Sequence, residues 1–168
     1  MEYRFGVPDD LAMWREVAGD VGAVFRVPLM KDSPEFLEYA RRKLVQRDSF
    51  LAYDPLHQRP VGFVGFSKNF NRITWLGVVS AYRMQGVGSK LLTLALAELN
   101  PELAITVKTF PADYPPGEAA RRLYFKHGFL QLSEEILIEE GLEVAELTKL
   151  PSVILGGIDH EGRLPSLC

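Results

Sequence analysis

The chain has 168 residues, 47% hydrophobic and 24% charged, with a formal net charge of −3. That composition suits one ordinary soluble domain, large enough to bury a core without disulfides or metals, and its acidic balance argues against a protein that coats nucleic acid. The single cysteine, Cys168, leaves no disulfide framework, no paired-cysteine metal site and no buried cysteine nucleophile. No stretch approaches the roughly 18 apolar residues of a membrane span, and Met1-Glu2-Tyr3-Arg4 lacks a leader pattern, so a cytoplasmic setting without membrane association is expected.

Glu2 to Val7 alternates as a short strand, and Pro8-Asp9-Asp10 introduces a helix that carries Leu11, Trp14, Val17, Ala18 and Val21 on one face. Ser33-Pro34-Glu35 is a helix start, with a capping hydroxyl, a proline at the first helical position and an acid near the positive end of the dipole. Phe36, Leu37, Ala40 and Leu44 form its buried stripe, and Arg41, Arg42, Lys43 and Arg47 are expected on a solvated face. Ser49 to Tyr53 and Val61 to Phe66 read as antiparallel strands joined by the turn-rich Asp54 to Pro60, and Arg72 to Val79 is the next strand.

The run from Val78 to Leu92 then breaks a β-branched strand into a glycine loop that opens directly onto an apolar helix. Gly86 and Gly88 remove side chains that would keep a ligand from the main chain, and the first helical N–H groups have no intrahelical partner. With the positive end of the helix dipole at the same place, the natural guest is a phosphate or diphosphate. Leu91, Leu92, Leu94, Ala95, Leu96 and Leu99 make this helix apolar nearly all round, so it should be covered. A strand from Leu103 to Thr109, a stiff loop from Phe110 to Gly117 and a helix from Glu118 to His127, capped at Gly128, come next. Residues 136–139 and 142–147 around Gly141 read as a closing hairpin. The domain is expected to span 1–150, with 151–168 a tail of unassigned structure.

Arg83, Gly86 and Gly88 in the spacing Arg-x-x-Gly-x-Gly, together with Ala119-x-x-x-Leu123-Tyr124-x-x-x-Gly128-Phe129 downstream, resemble the acyl-CoA-binding loop and the later tyrosine segment of the GNAT acyltransferase superfamily. The element order is similar to that family along nearly the whole chain. The resemblance implies an α+β, GNAT-like three-layer sandwich, in which a central mixed, mostly antiparallel sheet carries helices on both faces. It further implies an acetyl-CoA-dependent N-acetyltransferase, with a non-catalytic acyl-CoA-binding or sensor module as the alternative. The loop Arg83, Met84, Gln85, Gly86, Val87, Gly88, Ser89 and Lys90 would hold the diphosphate of acetyl-CoA, and Leu76 and Val78 would pair with the pantetheine amides. Arg83 would either contact a phosphate or brace the loop. Tyr124 would protonate the departing sulfur.

The implied partners are acetyl-CoA and an unidentified amine, without nucleic acid or membrane, and a homodimer is left open. Ala18 to Lys31 and Asn69 to Arg72 are expected to shape the acceptor pocket, with Phe25, Phe66, Phe70 and Trp75 as candidate lining. Asp113, Tyr114, Glu118 and His127 lie near the expected cofactor mouth without an assigned chemical role. His57 and His160 have no partners at metal-ligand spacing, and no metal is expected. Three departures from the family pattern stand out: Ser80 where a proline is common, Gly117 where an asparagine often contacts the cofactor, and Pro111, Pro115 and Pro116, which stiffen the loop between.

Overall fold

The computed structural model describes residues 1–152; His160, Cys168 and nearly all of the tail lie outside the described residues. The chain forms two compact units that divide between Glu98 and Leu99.

The first unit runs β1 (Glu2–Phe5), α1 (Leu11–Val21), α2 (Pro34–Gln46), β2 (Ser49–Asp54), β3 (Arg59–Ser67), β4 (Arg72–Val78) and α3 (Val87–Ala97). Its strands pair antiparallel in sequence order, β1 on β2, β2 on β3 and β3 on β4. β3 is the central strand and is buried along almost its whole length, which accounts for the unbroken apolar run Val61 to Phe66. The glycines of β3 report what covers each face. A Cβ on Gly65 would stand 2.3 Å from the Tyr39 hydroxyl of α2 and 3.4 Å from the Trp14 ring of α1, whereas one on Gly62 would stand 3.1 Å from Leu91 of α3. Helices therefore lie on both faces of this antiparallel sheet, as the sequence led us to expect.

Packing on the α1 and α2 face is aromatic. Trp14 stacks on Phe63 with ring centroids 4.7 Å apart, and Phe25 stacks on Trp75 at 5.5 Å. Such pairs contribute about 0.5–1.5 kcal/mol beyond the area they bury. Thr74 is an extra residue on β4, because Gly65 pairs with Trp75 while Phe66 pairs with Ile73. This bulge turns the Thr74 hydroxyl to Tyr39, 2.7 Å away, and so ties β4 to α2.

Helix α2 starts as its sequence dictates, with the Ser33 hydroxyl accepting from the Phe36 amide at 3.3 Å. Its expected solvated face needs one correction. Lys43 is buried, donates to the Phe66 carbonyl and lies 3.7 Å from Asp48. The cause is the left-handed cap at Arg47 (φ 56°), which turns the chain back so that Asp48 N–H reaches the Lys43 carbonyl at 2.9 Å. Burial pushes the Lys43 ammonium below its usual range, and Asp48 opposes that shift.

The second unit carries β5 (Ile105–Thr109), α4 (Glu118–Lys126), β6 (Phe129–Leu130), β7 (Leu137–Glu139) and β8 (Leu142–Lys149). β8 pairs antiparallel with β5, with β6 and with β7. The β7–β8 turn places Glu140 (φ 51°) and Gly141 (φ 79°) in the left-handed region, as a two-residue hairpin requires. The pair β6, two residues long after Gly128, is an element that the periodicity of the sequence does not announce.

One polar contact fastens the entry to α1. Buried Asp10 accepts from both terminal nitrogens of Arg4, at 2.6 and 2.8 Å, and from the Val7 amide at 2.8 Å. Burial works against ionisation of this carboxyl, yet the hydrogen bonds from Arg4 and Val7 outweigh it and hold the group below the usual carboxylate range. A carboxyl whose folded value is depressed contributes stability above its unfolded value of about 3.9 and loses it as pH falls through the folded value. Asp10→Asn is therefore expected to cost about 1–3 kcal/mol at pH 7. Denaturant titrations at descending pH should show the gap from wild type closing below about pH 4.

Candidate functional site

Leu76 and Val78 face the α3 side of β4, opposite Val64 and Gly62 of β3, and both are half-buried. Beyond Val78 the chain makes a short turn at Ser80–Tyr82 and extends at Arg83. It then enters the left-handed region at Met84 (φ 60°) and again at Gly86 (φ 82°), the cap residue of α3. For Met84 that conformation costs roughly 1–2 kcal/mol, a cost glycine avoids. A Cβ on Gly86 would meet nothing within 4 Å. The glycine thus serves the backbone angle and leaves open space in front of the main chain; no neighbour demands its small size.

The start of α3 contrasts with that of α2. Gly86 offers no side-chain cap, and the first turn contains no acid. Instead it carries the exposed cation Lys90, whose amide makes the first bond of the helix, to the Gly86 carbonyl at 3.0 Å. The amides of Val87 and Gly88 precede that bond and have no intrahelical carbonyl. About half a positive charge of helix dipole is concentrated there with no carboxylate to offset it.

Side chains around the loop are turned onto its own main chain. Arg83 Nε donates to the Val78 carbonyl at 3.0 Å, and Gln85 Nε2 donates to the Ala81 carbonyl at 3.0 Å. Asp20 of α1 accepts from the Ser80 amide at 2.7 Å and from its hydroxyl at 3.0 Å, and also lies 3.7 Å from Arg83. The amide that Asp20 binds is one that proline lacks, which explains why serine stands here. Asp54, at the end of β2, accepts from the Tyr82 hydroxyl at 2.7 Å and from His57 Nδ1 at 2.7 Å. Tyr82 first, then His57, hold the Asp54 carboxyl well below the usual range, and the same bond pushes the Tyr82 phenol up. Asp20, Asp54 and Tyr82 were not singled out from the sequence; Tyr82 adjoins the glycine motif, but its partner is 28 positions away.

Of the residues suggested as acceptor lining, Phe66 is fully buried against Phe50, Trp75 is buried under Phe25, and Phe70 is exposed with Arg72 over its ring. Phe66 is thus a core residue.

In the second unit, Tyr124 is buried on α4 at 4% exposure, edge-on to Phe129. Burial pushes its phenol above the usual range, and among the described residues no group hydrogen-bonds its hydroxyl. His127 Nδ1 donates to the Leu123 carbonyl at 2.9 Å, Glu118 pairs with Arg122, and Tyr114 packs on Phe110. These are structural contacts. Gly117 stands in the place of the family asparagine because Phe110 fills it: a Cβ there would lie 2.2 Å from the Phe110 Cβ. Among the described residues no group of three histidine, cysteine or acidic side chains could hold a metal, and no helix is long and apolar enough to cross a membrane.

No curated protein matches the chain. The solved structures similar to it include a GNAT-family acetyltransferase from Bacillus cereus (17% identity, 88% of this chain and 94% of that one, TM-score 0.66). They also include an N-acetyltransferase from Staphylococcus aureus (17% identity, 88% and 100%, TM-score 0.63). A third is a PaiA N-acetyltransferase from Thermoplasma acidophilum in complex with coenzyme A (18% identity, 89% and 98%, TM-score 0.60). At these identities the likeness is one of fold. The family described as acetyltransferase (GNAT) domain matches residues 46–131, which run from the end of α2 through β6 and include both motifs. The chain belongs to the GNAT acetyltransferase family.

Proposed function

We propose that this protein, as one domain over residues 1–150, transfers the acetyl group of acetyl-CoA to a primary amine by direct attack within a ternary complex. The observation that carries the reading is the bare, glycine-opened start of α3, with Lys90 in its first turn and no acid to compete. Main-chain amides from Gln85 to Lys90 would take the diphosphate, and Leu76 and Val78 would offer strand-type pairing to the pantetheine. Each hydrogen bond to a charged acceptor contributes roughly 1.5–3 kcal/mol. Three or four of them, less the cost of association, correspond to a dissociation constant in the micromolar range. Arg83 would brace the loop from behind, consistent with its bond to the Val78 carbonyl.

The thioester supplies the activated acetyl group; the protein's part is to bind it, orient it and supply a proton. Nitrogen attack forms the amide C–N bond as the C–S bond breaks, and the sulfur leaves with the electron pair. The hydroxyl of Tyr124 is the proposed proton donor to that sulfur, and the proton shed by the amine leaves through water. An alkyl thiol has a pKa of about 8.5 and a phenol about 10, so the donation is transient and the phenol recovers its proton at turnover. Burial keeps the hydroxyl protonated at rest and makes it a weaker acid, so it gives up its proton only to a sulfur that carries charge. Among the described residues there is no cysteine to form an acyl-enzyme, which is consistent with direct transfer.

Calorimetry with coenzyme A should give a dissociation constant between about 1 and 100 µM, and Gly86→Glu, which sets an anion before the amides, should weaken it at least about tenfold. Absence of heat with the wild type at millimolar coenzyme A would remove the cofactor assignment. Tyr124→Phe should lower turnover by about tenfold or more while coenzyme A affinity changes less than about twofold. Its melting temperature should hardly move, because no described partner is left unpaired. Equal turnover would take Tyr124 out of the chemistry.

A second reading rests on Phe110, which fills the place of the family's cofactor-contacting asparagine. A non-catalytic acyl-CoA-binding module would melt later with coenzyme A yet release no thiol from acetyl-CoA above background with any of a panel of amines.

A further inference from the structure

Asp54 is an anchor assembled before any ligand arrives. Its two carboxylate oxygens receive the Leu56 amide at 2.9 Å, the His57 amide at 3.3 Å, His57 Nδ1 at 2.7 Å and the Tyr82 hydroxyl at 2.7 Å. Three of those donors belong to its own turn and fix the carboxylate in place. The fourth reaches across to the residue immediately before Arg83, where the chain leaves its short turn and passes through left-handed Met84 and Gly86 into α3. A non-glycine residue at φ 60° persists only where its surroundings impose it. Gly86, with open space around it, supplies no such constraint. Constraint enters instead from the bonds of Arg83 and Gln85 to the loop's own main chain, from Asp20 at Ser80, and from Tyr82, whose hydroxyl ties the loop to the separate Asp54 turn. Arg59 is the other charge that acts on the Tyr82 phenol.

We infer that the Tyr82–Asp54 hydrogen bond is a positioning latch for the loop 83–90, holding it in the anion-accepting conformation before acetyl-CoA binds. The inference rests on the cofactor reading above and adds residues that touch no ligand. Asp54 and Tyr82 act through Arg83 to Gly86, and they preorganise amides that would otherwise be ordered at the expense of binding energy. Because four donors surround the Asp54 charge, the carboxylate can stand near an anion site while its field is largely answered locally.

The test uses the full chain, coenzyme A by calorimetry, and amide hydrogen exchange of residues 83–90 in the unloaded protein. Tyr82→Phe should raise the coenzyme A dissociation constant by about ten- to 150-fold, the span expected when one hydrogen bond to a charged group is lost, and should speed exchange within the loop. Asp54→Asn, which still offers an oxygen to Tyr82, should recover most of the affinity, whereas Asp54→Ala should match Tyr82→Phe. The double variant should be no weaker than either single one. That pattern of rescue and non-additivity separates a latch from general damage to the fold. Should Asp54→Ala not fold, Tyr82→Phe decides alone. Tyr82→Phe within twofold of wild type, with unchanged loop exchange, overturns the latch while Gly86→Glu still reports on the cofactor reading. If the wild type takes up no coenzyme A, both fall together.

Discussion

The interaction on which the rest depends is between the peptide dipoles of α3 and whatever negative charge is set before them. A helix start capped by glycine, with no side-chain acceptor, forgoes roughly a few tenths of a kcal/mol of stability. The chain shows at Ser33 that it can cap a helix. At Gly86 it does not, and it adds a left-handed methionine two residues earlier. Both features work against stability, and both leave main-chain donors directed outward. A local sacrifice of this kind is what a pre-formed anion site requires, since donors already satisfied within the protein would have nothing to offer a ligand.

Two carboxylates stand around this loop, and their arrangement resolves an apparent contradiction. Uncompensated, Asp20 and Asp54 would repel an anion at α3. Asp20 is answered by the Ser80 amide and hydroxyl and by nearby Arg83, and Asp54 by the donors of its own turn and Tyr82. Their charge is used to hold main chain and side chain on the strand side of the loop, while the helix side keeps only the dipole and Lys90. The same logic accounts for Ser80, whose amide is worth more here as a donor to Asp20 than a proline's stiffness would be.

Elements were legible in the sequence where the signal is local. The Ser33-Pro34-Glu35 start of α2 and the alternation of residues 72–78 are written within a few positions and reappear in the structure as read. What escaped depends on contacts between distant segments. The bulge at Thr74 leaves the alternation of β4 intact and is visible only in its pairing with β3. Lys43 reads as one more solvated cation until the left-handed cap at Arg47 brings Asp48 back to it. At the site, the glycines and their spacing were open to reading because they constrain the adjacent backbone. The partners of the loop were not: Asp20 lies 60 positions from Ser80, and Asp54 lies 28 from Tyr82. Polar pairs at such separations carry no periodicity.

The Tyr124 hydroxyl sets the remaining constraint on the proposed reaction. A buried phenol that no described residue hydrogen-bonds is unfavourable to ionise, so at neutral pH it holds its proton throughout the resting state. The same burial makes it a poorer acid, which on aqueous values would oppose transfer to a thiolate. In the proposed reaction the two effects would not act on the phenol alone, because a thiolate leaving beside it would be penalised by the same lack of solvation, and its own pKa would rise with that of the donor. What decides the transfer is the difference between the two groups, and shared desolvation leaves that difference nearer its aqueous value than either shift alone suggests. In the proposed reaction a tyrosine so placed would donate only when the sulfur carries charge, which would confine its acidity to the moment of bond breaking.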